Sequence, residues 1–207
     1  MNQQANANDP ASIDEEAARS EVYGLLALLY YASPAIEWLA KLRLAATPVG
    51  AGGALLQEPW RAVVTLAREL SDAAIEAECD ALFGGVGKPE VYLYGSHFLS
   101  GFLNEKPLAR LRGDLAAIGL RRDAAMSETE DHFAYLCEVM RYLIANDGQT
   151  GAGLMRQRDF FSTHIQPWAL RMCDDVEHHP KARFYGAVAV FTRTFLGVEA
   201  QGFDMLD

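Results

Sequence analysis

Cations are scarce in this chain: 18 lysines and arginines stand against 28 aspartates and glutamates, a formal net charge of −10. Phosphate binding needs a cationic face, so the balance argues against nucleic acid as a partner. An acidic chain attracts a basic partner, although excess acid more often serves solubility alone. Cysteine is also sparse. Cys79, Cys137 and Cys173 are odd in number, have no Cys-x-x-Cys spacing and sit among apolar neighbours, as reduced, buried cytosolic thiols do. No apolar run reaches the roughly 18 residues of a membrane span. Met1–Pro10 lacks the basic-then-apolar order of an export signal. These absences predict a soluble, cytoplasmic protein with no stable membrane insertion.

Catalytic motifs are missing too. Gly84-Gly85-Val86-Gly87-Lys88 looks like a phosphate cradle, but Leu82 and Pro89 stand where a P-loop needs glycine and Ser or Thr. A di-iron bundle needs glutamate three residues before its histidines. Before His97, His132, His164, His178 and His179 those positions hold Tyr94, Thr129, Phe161, Asp175 and Val176. There is no Gly-x-Ser-x-Gly, and a Cys137–His164 dyad has no motif around it. The residues predict no enzyme and no cofactor. One alternative stays open, a small metal-binding protein or metalloenzyme using His132, His164 and an acid.

What is present is helical. Half of the residues are apolar, none of them in sustained strand alternation. The pattern predicts an all-α fold, one bundle of about eight to ten helices over residues 12–207, after a disordered tail over 1–11. Ser12-x-x-Glu15 reads as a capping box opening a helix to Ala32, and Ser33-Pro34 starts the next. Helical spacing then covers 59–70, 71–83 with Ser71 as cap, 96–102, and 107–118 stopped by Gly119. Further helices are predicted over 127–146, 154–176 and 180–196. Glycine-rich loops at Thr47–Glu58 and Gly84–Gly95 permit segment exchange, leaving monomer and homodimer both open.

The run Ser127-Glu128-Thr129-Glu130-Asp131-His132 carries the most information. Ser127 and Glu130 have capping-box spacing, and the acids suit the positive end of a helix dipole. His132 falls beside the buried stripe Phe133, Cys137, Met140 and Ile144, where a half-exposed, neutral imidazole is expected. Farther on, Phe161, Ile165, Trp168 and Met172 form an apolar stripe flanked by His164, with Pro167 opposite to bend the helix.

Taken together the motifs resemble the TorD/DmsD family of redox-enzyme maturation chaperones. The matching pieces are Tyr23-x-x-Leu26, Leu82-Phe83-x-Gly85, Gly95-Ser96, Glu128-x-Glu130-Asp131-His132 and Phe160-Phe161-x-x-His164-x-x-x-Trp168. The resemblance implies an all-helical cytoplasmic chaperone. Its partners would be the twin-arginine signal peptide and apoenzyme of a molybdenum-cofactor oxidoreductase of the dimethyl sulfoxide reductase type. It places Asp131 and His132 in the peptide-binding region with the Gly84–Phe98 loop. The candidate peptide-binding residues are Asp131, His132, Glu128, Tyr92, Tyr94, Ser96, Phe98, His164 and Trp168, with Glu90 as a further carboxylate for arginine.

Overall fold

A computed structural model describes residues 10–47, 55–84, 88–103, 105–123, 126–147 and 150–206. They form ten helices: α1 (Pro10–Tyr31), α2 (Ile36–Leu44), α3 (Gln57–Glu69), α4 (Asp72–Phe83), α5 (Gly95–Ser100), α6 (Lys106–Ala117), α7 (Phe133–Asp147), α8 (Gly151–His164), α9 (Gln166–Glu177) and α10 (Phe184–Asp204). Among the described residues there is no strand, only one isolated antiparallel bridge between Tyr94 and His132. The fold is the expected all-α bundle.

Two long packings organise it: α1 lies along α7, and α10 lies against α9 and α3. Helix α1 offers Tyr23, Leu26, Leu29 and Tyr30 at helical spacing, all fully buried. Tyr23 meets Phe195 of α10 edge-on at 4.9 Å, and Tyr30 meets Phe133 of α7 at 5.1 Å. Burying each such ring contributes about 1.5–3 kcal/mol. A charged cluster joins α1 to α10 at this seam. Arg19 grips Glu199 at 2.7 and 2.8 Å, and the Tyr23 hydroxyl donates to the same carboxylate at 2.9 Å.

Two of the local signals hold. The Ser71 hydroxyl accepts from Ala74 N at 3.2 Å, capping α4 as expected. Gly119 adopts φ 79°, and Leu120 N donates to Leu115 O at 2.9 Å while Gly119 N donates to Ala116 O at 3.1 Å. That is the Schellman arrangement, which needs a residue tolerant of positive φ.

Several boundaries differ from expectation. Helix α1 begins at Pro10, before Ser12, so Ser12 lies within the helix and not at its cap; the predicted tail over residues 1–9 lies outside the described ones. Helix α2 begins at Ile36, because Ala35 is still extended (φ −61°, ψ 148°). The segment predicted as one bent helix over 154–176 is two, broken at Ile165 (φ −114°, ψ −60°). Pro167 has no amide to continue the ladder, so it breaks the helix rather than bending it. Helix α10 starts at Phe184 rather than Pro180 because an acid from another helix receives its first amides. The Glu78 carboxylate of α4 accepts from the backbone of Arg183, Phe184 and Tyr185 at 2.7, 3.0 and 2.7 Å.

Candidate functional site

The run Ser127–His132 is not the first turn of a helix. Gly95 N donates to Asp131 O at 2.9 Å and Phe133 N to Leu93 O at 2.8 Å, so the run pairs with the segment before α5. Helix α7 therefore begins only at Phe133. The expected capping box does not form. Ser127 Oγ donates to Glu128 at 3.1 Å, and Glu130 is turned outward to Arg112, whose Nε and Nη2 lie at 3.0 and 2.9 Å. Backbone pairing across the chain outcompeted a purely local cap.

The remaining two residues take over as caps. Asp131 Oδ2 accepts from Ser96 N at 2.8 Å, near the start of α5, and Oδ1 accepts from the Thr129 hydroxyl at 2.6 Å. His132 Nδ1 accepts from Ala134 N at 3.2 Å, in the first turn of α7. That bond leaves the ring proton on Nε2. His132 is 5% exposed rather than half-exposed, enclosed by Tyr94 at 5.0 Å, Tyr135 at 6.0 Å and Tyr31 at 6.5 Å. The Tyr94 hydroxyl donates to Glu128. Burial, that hydrogen bond and the Glu128 charge push the Tyr94 phenol upward, so it stays a donor.

Burial also pushes His132 down to about 4, against the nearby charges of Glu128 and Asp131. The expected neutral imidazole follows. An unfolded imidazole takes up its proton near 6.5 and the folded one near 4. Between those values the unfolded state holds more protons, so acidification costs stability. Between pH 7 and pH 5 this loss amounts to about 2 kcal/mol. His132→Asn keeps an acceptor for Ala134 N and is expected to remove that part of the slope in urea titrations at the two pH values. An unchanged slope would contradict a buried neutral His132.

The other candidate residues form a second aromatic row. Tyr92 stacks on His97 at 4.0 Å, and Phe98 stacks on Trp168 at 5.4 Å. Trp168 Nε1 donates to His164 O at 2.6 Å, and Arg171 donates to Phe98 O at 2.6 Å. Ser96 and Trp168 are buried. A Cβ on Gly95 would lie 3.0 Å from Trp168 Nε1, so glycine permits α5 to approach the indole. The Gly84–Phe98 loop is thus helical from Gly95 onward, and Gly85–Gly87 lie outside the described residues.

His164 does not join this group through its ring. Its Nε2 lies 2.9 Å from Asp114 of α6, in the wall of a cavity of about 330 Å³ with Arg110, Ile118, Leu143 and Phe160. Glu90 is also engaged elsewhere, with Lys181 at 2.9 Å and His179 at 3.3 Å. Those two hydrogen bonds hold its carboxyl below the usual range. His132 and His164 face different neighbours, and among the described residues no group of three or more His, Cys, Asp or Glu is placed to hold a metal. The three thiols are buried and free. Burial pushes Cys79 and Cys137 upward and Cys173 up to about 12, which disfavours the thiolate. Sequence reasoning missed Tyr31, Tyr135, Arg112 and Arg122 around the acidic run. Only the aromatic spacing Tyr31 near the end of α1 offered a signal.

A family model described as nitrate reductase delta subunit matches residues 52–174, which contain α5, the acidic run and the Trp168 row. The chain belongs to that TorD-like family of redox-enzyme maturation chaperones. A protein of Vibrio cholerae named chaperone protein TorD is 25% identical over 204 residues, 91% of this chain and 93% of the relative. The TorD of another strain, M66-2, is 25% identical over 157 residues, 73% of this chain and 68% of the relative. An uncharacterised protein of Haemophilus influenzae is 33% identical over 81 residues, 39% of this chain and 42% of its own length. Among the described residues of this TorD-like chain, no helix is long and apolar enough to cross a membrane.

Proposed function

We propose that this TorD-like protein is a cytoplasmic, non-enzymatic chaperone. It binds the twin-arginine signal peptide and the apo form of a molybdenum-cofactor oxidoreductase of the dimethyl sulfoxide reductase type, and holds back export until the cofactor is in place. One observation carries the reading beyond family membership. Asp131 fastens α5 to the acidic run, and α5 brings exposed apolar side chains with it: Leu99, then Phe102 and Leu103 just beyond. A leader of this kind presents guanidinium groups followed by an apolar helix-forming segment, and the two surfaces match in that order.

The residues divide into a frame and a contact face. Asp131, Ser96 and Trp168 are buried and form the frame. Glu128, Tyr94, Tyr92 and Phe98 are partly exposed, and Tyr31 is exposed at the rim. Exposed ion pairs contribute only about 0–1 kcal/mol each, so the carboxylates select and steer. Each apolar leader side chain that becomes fully buried adds about 1.5–3 kcal/mol. Ordering the peptide offsets several kcal/mol of that, which leaves a reversible complex suited to a checkpoint.

Calorimetry with a synthetic twin-arginine leader tests the proposal. The wild-type chain is expected to bind it, and Glu128→Gln to weaken binding by roughly threefold, within the range for an exposed pair. Replacing the leader's two arginines by lysines should weaken it further, because an ammonium cannot make the two-pronged contact. Equal affinity for the arginine and lysine peptides would sink the assignment of the acidic run.

A further inference from the structure

Arg122 sits on the acidic run in the manner of a ligand. Its Nη1 donates to Met126 O at 2.5 Å and to Glu128 O at 3.2 Å, while Nε lies 3.9 Å from Glu130 Oε1. The side chain is 31% exposed and the Glu130 side chain 13%. Arg112 of α6 holds the other Glu130 oxygen. Burial alone would raise the Glu130 carboxyl, but the Arg112 hydrogen bond, its own backbone and the charges of Arg112 and Arg122 outweigh this and hold it low. Beside Glu130 a cavity of about 350 Å³ opens between α6 and the run, walled by Leu115, Leu120, Arg121 and these two arginines. Two carbonyls, a carboxylate and adjoining space are what a guanidinium needs.

We propose that Arg122 is an internal stand-in for an arginine of the partner peptide. It occupies a guanidinium seat formed by Met126 O, Glu128 O and Glu130, and it leaves when the incoming arginine takes that seat. The inference rests on the peptide-binding reading above and adds regulation to it: the chain competes with its own ligand. Competition lowers affinity and favours release. It also screens against basic segments that lack arginine, since a compact ammonium cannot span the two carbonyls and Glu130 as a guanidinium does. Arg121, the preceding residue, lines the same cavity but makes no ion pair among the described residues, so it controls for loss of charge beside the seat.

The test compares wild type, Arg122→Gln, Arg122→Lys and Arg121→Gln by calorimetry with the twin-arginine leader. Arg122→Gln is expected to tighten binding by roughly fivefold, the scale of one partly exposed ion pair. Arg122→Lys keeps the net charge and is expected to tighten binding as well, whereas Arg121→Gln removes the same charge without emptying the seat and is expected to change binding by less than about twofold. Equal effects of the two glutamine variants, or weaker binding by Arg122→Gln, would overturn the proposal. A second arm titrates N-acetylarginine methylamide into wild type and Arg122→Gln, followed by amide NMR. The expected result is perturbation of residues 128–131 in the variant alone; no perturbation in the variant also overturns the seat. If no form binds the leader while the variant still takes the arginine amide, the seat stands and the peptide-binding reading falls.

Discussion

Glu78→Ala is expected to lower the folding stability by about 5 kcal/mol, the sum of three charge-assisted hydrogen bonds at roughly 1.5–3 kcal/mol each, discounted for relaxation. The carboxylate is 9% exposed and receives the amides of Arg183, Phe184 and Tyr185. Alanine leaves all three donors at the start of α10 without a partner, two of them in buried surroundings. Water reaches that site poorly, so the loss exceeds that of an ordinary exposed cap, which costs about 1 kcal/mol. Glu78→Gln can keep its oxygen on the amides of Arg183 and Tyr185 but turns its own NH2 toward that of Phe184 and loses the charge, so it should recover only part of the loss. Denaturant titrations of the three proteins check this. A loss below 1 kcal/mol for alanine would mean that α10 takes its start from packing alone.

Asp131→Ala is the second large effect, about 3–4 kcal/mol, from two bonds to an ionised acceptor. The residue is 3% exposed, and its oxygens are used by Ser96 N and the Thr129 hydroxyl. The stability change is only part of the expectation. Amide exchange of 95–100 should accelerate in the variant without any peptide present, because α5 loses its tie to the acidic run. Weaker leader binding by this variant then reports a displaced α5, not a lost contact to arginine. Unaltered exchange in α5 would contradict the framing role and return Asp131 to the contact face.

Glu78 and Asp131 mark the limit of what was legible in the sequence. Ser71 and Gly119 act on amides and carbonyls within five positions, and their roles followed from residue type and spacing. The apolar stripe of α7 and the one running through Ile165 into α9 were equally readable, since Phe133, Cys137, Met140, Ile165, Trp168 and Met172 recur at helical spacing and are all buried. Ser127–His132 was misread because its decisive partner, the segment around Tyr94, is 38 residues away, as the paired numbers 94 and 132 show. A capping-box pattern is a local statement, and a cross-chain bridge overrode it. Glu78 gave no warning at all, since one acid on an amphipathic helix is ordinarily solvated. The neutral state of His132 was foreseen, but not its burial beneath three tyrosines, which depends on where α1 ends.

The cap that Glu78 provides has a bearing on how the molecule is made. Its bonds span 105 to 107 positions, and those of Glu199 to Arg19 and Tyr23 span 180 and 176. A nascent chain emerging from the ribosome therefore exposes α1 and α4 long before their partners have been synthesised. Such distant closures raise contact order and slow the final step. Until α10 docks, Arg19, Tyr23 and Glu78 lie open to water and to other chains. A protein that attends to the unfinished state of another passes through a long unfinished state of its own.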